Sequence, residues 1–258
     1  MAELVPLLAS YLTFALFMCY NTWKLSKNIV KTEGGYNLPV QLIIFDLDGT
    51  LVNSIEDISA SLNYALAQAG LPGIAAGQTL QYVGGGVDNL INLALMNMDL
   101  SGKPQGIKEA VLESFLNYYS THVADFTRPY EGVLPALETL SGYKKAVVSN
   151  KTAFLSGKLL QKLGMDRYFD LISGSDSFDE LKPSPQPISK TMEKLGAVAS
   201  ETVMVGDSST DVEAGHRAGV KTIAVAYGYR TVETLAKADF LVKKSLMEIV
   251  PIIRGISG

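Results

Sequence analysis

Cysteine is almost missing from this sequence, since Cys19 is the single one among 258 residues. No disulfide can therefore form within the chain, which fits a reducing compartment. The sequence also has no internal repeat and no low-complexity tract. Charged residues make up 19% and hydrophobic residues 47%, a composition that can fill a packed core and argues against disorder.

Positive charge is not in excess either. The chain has 22 Lys and Arg residues against 26 Asp and Glu residues, which gives a net charge of -4. Because binding along a nucleic acid requires clustered Lys and Arg, we expect no nucleic-acid partner. A small anionic substrate is still compatible with this balance, since one metal ion or one lysine in a pocket can outweigh a mildly negative surface.

Charge is absent from residues 4–23. As a helix this segment would rise roughly 30 Å, about the thickness of the hydrocarbon core of a bilayer. Lys24, Lys27 and Lys31 follow it, and the positive-inside rule would keep everything downstream in the cytoplasm. We therefore expect either a tether to the cytoplasmic face of a membrane or a hydrophobic helix packed on the domain or between subunits. A cleaved signal peptide fits less well, because no Lys or Arg precedes the apolar run.

Short apolar runs alternate with helical patterns along the rest of the chain. Strands are predicted at 40–45, 146–148, 202–205 and 222–225, with a weaker one at 171–172, and helices at 154–163, 188–195 and 212–218. This alternation predicts an α/β fold with a Rossmann-like, doubly wound parallel sheet. Residues 31–39 are interpreted as a linker, and residues 55–126 have helical spacing without a clear strand.

Polar side chains follow three of these strands directly. Asp46 and Asp48 come after the first, Ser149 and Asn150 after the second, and Asp207 after the third. The carboxyl ends of parallel strands meet at one edge of the sheet, where open α/β folds bind ligands. Carboxylates crowded there repel one another unless a cation holds them, and oxygen ligands of this kind suit Mg²⁺ when the substrate brings a phosphate.

The motifs resemble those of the haloacid dehalogenase superfamily across nearly the whole chain after residue 40. The sequence reads DLDGT at 46–50, SN at 149–150, LKPSP at 181–185 and GDSSTD at 206–211. VGGG at 83–86, RPYEGV at 128–133 and VVSNK at 147–151 are similar to the phosphoglycolate phosphatase-like group within it. The resemblance implies a catalytic core of residues 41–53 and 128–258, with a helical cap of residues 54–127 inserted after the first strand. Residues 1–40 would form the hydrophobic segment and linker.

The resemblance also implies two catalytic carboxyls and a metal. Asp46 would be the nucleophile that forms an aspartyl-phosphate, and Asp48 would protonate the leaving oxygen and later activate water. Mg²⁺ would be bound by Asp46, by the main-chain carbonyl of Asp48 and by Asp207, with Asp211 in support.

Further residues are implied to bind the phosphoryl group. Ser149 and the main-chain amide of Asn150 would hold it, and Lys182 would neutralise its charge and restrain the nucleophile. Thr50 would bond to the first aspartate or to the phosphate. A lysine at the start of a helix, Lys151, is interpreted either as a neighbour of the substrate or as a solvated side chain.

The resulting hypothesis is a magnesium-dependent phosphatase that hydrolyses a small, phosphoglycolate-like phosphomonoester. Asp48 favours phosphate esters, because family members that dehalogenate lack an aspartate at that position. Leu93 stands where the phosphoglycolate phosphatase-like group usually has an arginine, and this leaves the substrate open. The alternatives are a phosphosugar mutase or a pyrophosphatase on the same scaffold, or a non-catalytic, membrane-tethered binding protein.

Overall fold

The computed structural model describes residues 30–32, 35–37, 40–96 and 98–256. The uncharged segment at 4–23 lies outside these residues, so its two interpretations stay predictions. Within the described part of the chain, no helix combines the length and the apolar character that crossing a membrane requires.

Two short strands lie in the region interpreted as a linker. Strand β1 (Val30–Thr32) pairs antiparallel with β2 (Gly35–Asn37), with Thr32 opposite Gly35. The expectation that this region lacks regular structure is therefore wrong for these residues, and its role as a linker stays a prediction. An antiparallel ladder is made by backbone groups, which glycine supplies as well as any other residue, and two residues are enough to connect its strands.

A six-stranded parallel sheet forms the centre of the protein, and its predicted class is confirmed. The remaining strands are β3 (Leu42–Phe45), β4 (Val52–Asn53), β5 (Arg128–Pro129), β6 (Lys144–Val148), β7 (Leu171–Ser173), β8 (Thr202–Gly206), β9 (Lys221–Val225) and β10 (Phe240–Val242). The order in the sheet is β10-β9-β8-β3-β6-β7. From β3 the chain continues through β6 and β7 to one edge of the sheet. It then returns to the other side of β3 and continues through β8, β9 and β10 to the opposite edge, so the strand order reverses beside β3.

Nine α-helices accompany these strands in the described residues. They are α1 (Ile55–Gln68), α2 (Ala76–Tyr82), α3 (Val87–Leu95), α4 (Ile107–Thr121), α5 (Val133–Thr139), α6 (Ala153–Lys162), α7 (Gln186–Leu195), α8 (Ser209–Arg217) and α9 (Ile249–Ile256). Helices α6, α7 and α8 match the three helices predicted from the sequence. Gly196, at the carboxyl end of α7, has a φ of 64°, a left-handed conformation that glycine adopts without steric cost.

Strand β3 is buried on both faces, as its unbroken apolar sequence predicts. Ile43 and Phe45 belong to one hydrophobic cluster, whereas Leu42 and Ile44 belong to another on the opposite face. Alternate residues of a strand point to opposite faces, so each face receives two side chains. Full burial of an aliphatic side chain of this size contributes roughly 1.5–3 kcal/mol, which fixes β3 and the chain that follows it.

The segment predicted as a cap, residues 54–127, contains helices α1 to α4 and no strand among its described residues. Helix α1 packs along α4. Strands β4 and β5, which flank this segment, pair antiparallel with Asn53 opposite Arg128. The chain therefore leaves the sheet and returns to it at adjoining points.

Asp57, in the first turn of α1, joins the start of this segment to its end. The buried carboxylate accepts hydrogen bonds from the Phe126 amide at 3.0 Å, the Thr127 amide at 2.7 Å and the Thr127 hydroxyl at 2.6 Å. A carboxylate removed from water is tolerated only with such compensation. The same contacts satisfy amides that would otherwise be buried without a partner.

We expect the Asp57→Ala variant to lose about 2–4 kcal/mol of unfolding free energy, because it leaves these amides and the hydroxyl unsatisfied. Chemical denaturation measures this loss. The neighbouring Glu56 is exposed, so Glu56→Ala serves as the control and should change stability by less than about 0.5 kcal/mol. Equal stability of the two variants would contradict this role of Asp57.

Candidate active site

The candidate active site lies at the carboxyl edge of the sheet, beside the reversal of strand order. Asp46 follows β3, and its main-chain amide donates to the carbonyl oxygen of Val205 at 2.9 Å. Ser149 follows β6 and Asp207 follows β8. The predicted convergence of the three strand ends therefore occurs, at the place where open α/β sheets bind ligands.

One cavity brings together most of the residues predicted from the sequence. Its lining includes Asp46, Asp48, Ser149, Asn150, Lys182, Asp207 and Asp211. Thr50 is fully buried and is not part of this lining. Its hydroxyl donates to Asp207 Oδ1 at 3.4 Å, so its contact is with a site carboxylate, and binding of the phosphate by Thr50 stays a prediction.

Lys182 connects two of the carboxylates. Its ammonium lies 2.9 Å from Asp46 Oδ1 and 2.6 Å from Asp211 Oδ1, and its side chain is 2% exposed. Burial raises the pKa of Asp46 to about 6, while the charge of Lys182 opposes that rise. Burial disfavours the charged form of Lys182, but its two carboxylate partners outweigh this and hold its pKa above the usual value.

Asp211 holds Lys182 from the amino end of α8. Its Oδ2 accepts hydrogen bonds from the amide and the hydroxyl of Ser208, at 3.1 and 2.6 Å, in a capping box. Its Oδ1 is left to face Lys182. Both oxygens are therefore occupied by protein donors, an arrangement that suits the supporting role predicted for Asp211.

Asp207 is packed between two glycines. A Cβ atom placed on Gly49 would come within 2.3 Å of Asp207 Oδ2, and one on Gly228 within 2.4 Å of the Asp207 Cβ. Gly49 also has a φ of 87°, which disfavours any side chain. The amide of Tyr229 donates to Asp207 Oδ2 at 2.7 Å. Burial, followed by the charges of Asp46 and Asp211, raises the pKa of Asp207 well above its usual range.

The carboxylates form a set that fits a divalent cation. Asp46, Asp207 and Asp211 each offer an oxygen, and these oxygens lie within 4.8 Å of one another. Three carboxylates at this separation repel one another, and a cation removes that cost. Oxygen donors alone, without His or Cys, suit a hard ion of the magnesium type rather than zinc.

Asn150 fixes the backbone around Lys182. Its side-chain amide donates to the carbonyl of Lys182 at 2.9 Å and accepts from the amide of Lys182 at 3.0 Å. It also donates to the carbonyl of Gly84 at 2.9 Å. The contact of its own main-chain amide with a phosphoryl group stays a prediction. The Ser149 hydroxyl accepts from the amide of Lys151 at 3.2 Å and lines the cavity.

Asp48 has two close donors on the same oxygen. The hydroxyl of Ser54 lies 2.5 Å from Asp48 Oδ1, and the ammonium of Lys151 lies 2.6 Å from it. The Tyr229 hydroxyl accepts from the amide of Ser54 at 2.8 Å. The orientation of the Asp48 carboxyl is therefore set from the core loop, from the start of the predicted cap and from the loop after β9.

Two further residues take part in the site: Lys151, for which the sequence left two interpretations open, and Tyr119, which it did not single out. The interpretation of Lys151 as a solvated side chain is wrong, because its side chain is 8% exposed. Its position directly after a strand end was the available signal. Tyr119, whose hydroxyl accepts from Lys151 at 2.8 Å, looked like one more apolar position of a helix. Burial raises the pKa of Tyr119 to about 12, so its hydroxyl keeps its proton at neutral pH.

Two of the three glycines at 84–86 form part of the cavity wall. Gly84 and Gly86 line it together with Val83, Val87 and Leu90. Arg230 donates to the carbonyls of Leu80, at 3.1 Å, and Val83, so this stretch is held against the core. Leu93 is not part of the lining.

Comparison with known proteins agrees with this geometry. Residues 43–225 match the model of the haloacid dehalogenase-like hydrolases. A phosphoglycolate phosphatase of Aquifex aeolicus is 41% identical over 192 residues, which cover 74% of this chain and 86% of the relative. A phosphoglycolate phosphatase of Neisseria meningitidis is 38% identical over 203 residues, covering 78% and 86%.

A solved structure is similar over nearly its whole length. The crystal structure of a predicted phosphoglycolate phosphatase from Haemophilus somnus has a TM-score of 0.78 and 32% sequence identity, covering 83% of this chain and 97% of the other. The fold and the sequence are thus shared with the same group of proteins.

The raised pKa of Asp46 predicts how the stability of the metal-free protein depends on pH. The fold retains a proton on Asp46 up to about pH 6, whereas the unfolded chain releases it near pH 3.8. Stability should therefore fall as pH rises through this window. In EDTA we expect the melting temperature to drop by roughly 2–5 °C more in the wild type than in Asp46→Asn between pH 4 and pH 7.

Mg²⁺ provides the complementary test by the same thermal melting. At pH 7.5 it should raise the melting temperature of the wild type, because it relieves the repulsion among the carboxylates. Asp207→Asn removes a carboxylate of this cluster and should lose the shift. An equal shift in wild type and Asp207→Asn would place the ion elsewhere.

Proposed function

Because the chain belongs to the haloacid dehalogenase-like hydrolases and is a phosphoric monoester hydrolase, we propose that it is a magnesium-dependent phosphatase that works through an aspartyl-phosphate. Its substrate is a small, phosphoglycolate-like phosphomonoester. The observation that carries this proposal is the Asp46 carboxylate at the strand-order reversal, with Lys182 at 2.9 Å and the Asp207 carboxylate in the same cluster.

The first half of the reaction transfers the phosphoryl group to the protein. A carboxylate oxygen of Asp46 attacks phosphorus and forms an acyl-phosphate bond while the ester P–O bond breaks. Asp48 donates a proton to the departing alcohol oxygen. Lys182 faces Asp46 at 2.9 Å and offsets negative charge on the phosphoryl oxygens, with Ser149 contributing its hydroxyl.

The second half returns Asp46 to its starting state. A water molecule attacks phosphorus, Asp48 accepts the proton of that water, and the P–O bond to Asp46 breaks to release inorganic phosphate. Asp48 can serve both halves, because its carboxyl is oriented by Ser54 and Lys151. A bound Mg²⁺, held by Asp46, Asp207 and the main-chain carbonyl of Asp48, would offset charge on the phosphate throughout.

The helical segment 54–127 would act as a cap over a core of residues 41–53 and 128–258. Its residues Val83, Gly84 and Gly86 share a cavity with the catalytic aspartates. Movement at the β4–β5 pair would admit the substrate, and closure would exclude bulk water while the acyl-phosphate exists. A closed cap also favours a small alcohol group, as in phosphoglycolate.

A phosphate-release assay tests the proposal. With Mg²⁺, the purified protein should release phosphate from phosphoglycolate or another small phosphomonoester, and EDTA should abolish the release. Asp46→Asn removes the nucleophile and should lower kcat by at least roughly 10³-fold. Asp88, whose side chain is 63% exposed, gives the matched control Asp88→Asn, which should retain activity.

Two outcomes of this assay would contradict the proposal. The absence of phosphate release from a broad panel of phosphomonoesters would exclude a phosphatase. Return of the phosphoryl group to a sugar, detected by product analysis, would identify a phosphosugar mutase instead.

The N-terminal segment would keep the enzyme at the cytoplasmic face of a membrane. This part of the proposal rests on the uncharged residues 4–23 and the lysines that follow them. The full chain should sediment with membranes, and a chain without residues 1–35 should stay in the supernatant. Equal partitioning of the two would favour the alternative of a packed helix.

A further inference from the structure

Lys151 has a buried ammonium group that the proposed reaction leaves without a direct task. It donates to Asp48 Oδ1 at 2.6 Å and to the Tyr119 hydroxyl at 2.8 Å, and it also lies 5.0 Å from the centre of the Tyr119 ring. Burial of a lysine is costly unless partners replace its hydration. An ammonium has three N–H donors, of which these contacts use two. The third can serve a ligand in the cavity that Lys151 lines.

The two lysines of the site are divided between the two catalytic aspartates. Lys182 contacts Asp46, which attacks phosphorus, whereas Lys151 contacts Asp48. Asp48 must reach the ester oxygen of the leaving alcohol to protonate it. A group bonded to Asp48 therefore stands beside the alcohol part of the substrate rather than beside the oxygens that Lys182 serves.

The other two cations that line the cavity contact groups other than Asp48. Lys182 contacts two carboxylates, and the guanidinium of Arg230 donates to the carbonyls of Leu80 and Val83. Much of the remaining wall is apolar and is provided by Ile58, Val83, Val87, Leu90, Phe115 and Leu155. A charge–charge contact in such surroundings is stronger than in water, because little solvent screens it.

We propose that Lys151 determines substrate specificity by binding a carboxylate on the alcohol part of the phosphomonoester. Its ammonium is shared between that carboxylate and Asp48, and the Tyr119 hydroxyl of α4 holds it in position. This inference rests on the proposed phosphatase function and assigns the recognition of the substrate carboxylate to Lys151. The cation for the substrate carboxylate thus comes from the loop after β6, and not from position 93 of the predicted cap.

Two substrates whose alcohol parts both have two carbons test this role. Phosphoglycolate carries the carboxylate, and ethyl phosphate lacks it. Wild-type kcat/KM should be higher for phosphoglycolate, and Lys151→Met should reduce the ratio of the two kcat/KM values by roughly 10- to 100-fold, the effect of one hydrogen bond to a charged group. Lys151→Met should hydrolyse both substrates more slowly, because Asp48 loses a partner. The ratio of the two kcat/KM values is therefore the decisive quantity.

Three further variants complete the test. Lys151→Arg keeps the charge and should retain more of the ratio than Lys151→Met. Tyr119→Phe removes the supporting hydroxyl and should lower the ratio by less than Lys151→Met does. Lys190 is an exposed lysine of α7 whose side chain is 55% exposed, and Lys190→Met should leave the ratio unchanged. Melting temperatures establish that each variant is folded, and Lys151→Arg and Tyr119→Phe decide the matter if Lys151→Met does not fold.

The outcomes separate this inference from the proposed function. A wild type that hydrolyses both substrates equally, or a Lys151→Met variant that slows both by the same factor, would overturn the role of Lys151 while leaving the phosphatase intact. A wild type that releases phosphate from neither of them, nor from any other phosphomonoester, would overturn the proposed function itself. A loss of kcat/KM in Lys151→Met that is larger for phosphoglycolate than for ethyl phosphate would support both the role of Lys151 and the proposed function.

Discussion

The structure depends on one constraint, which is the crowding of carboxylates at the end of a fully buried strand. Asp46 is carried by β3, and the carboxylates of Asp207 and Asp211 lie within 4.8 Å of one another and of Asp46. Burial makes their charges costly, so the surrounding residues compensate. Lys182 pairs with Asp46 and Asp211, the capping box of α8 occupies the second oxygen of Asp211, and the Tyr229 amide donates to Asp207. The same repulsion that must be relieved in the fold favours the binding of a cation, and a bound cation together with Lys182 would then attract a phosphoryl group.

The two buried lysines of the site, Lys151 and Lys182, contact different aspartates. Lys182 contacts Asp46, the proposed nucleophile, and Lys151 contacts Asp48, the proposed acid–base group, so each of these aspartates has a buried counter-charge. These two lysines are anchored differently. Asn150 fixes the backbone of Lys182 within the core, whereas Lys151 is bonded to Tyr119 of helix α4. The environment of Asp48 therefore depends on the position of helix α4 in the helical segment.

The sequence predicts those site residues that directly follow a strand. Asp46, Ser149 and Asp207 each come immediately after an apolar run, so the parallel sheet alone brings them together. Lys182 lies in a loop, and its pairing with Asp46 followed from family resemblance rather than from any pattern. The role of Tyr119 could not be predicted from the sequence. Helical periodicity shows that this position faces inward, but not that its hydroxyl reaches a lysine on another element. Five short strands, β1, β2, β4, β5 and β10, were not predicted, because strands of two or three residues are defined by their pairing partners rather than by their own residues.

Trapping the aspartyl-phosphate on Asp46 tests the proposed mechanism most directly. The enzyme would be mixed with Mg²⁺ and a substrate carrying a radiolabelled phosphoryl group, quenched in acid within the first turnover and digested for peptide mapping. We expect label on the peptide that contains Asp46, and no label on this peptide in Asp46→Asn. Label on a different residue, or steady turnover with no labelled protein at any quench time, would contradict it.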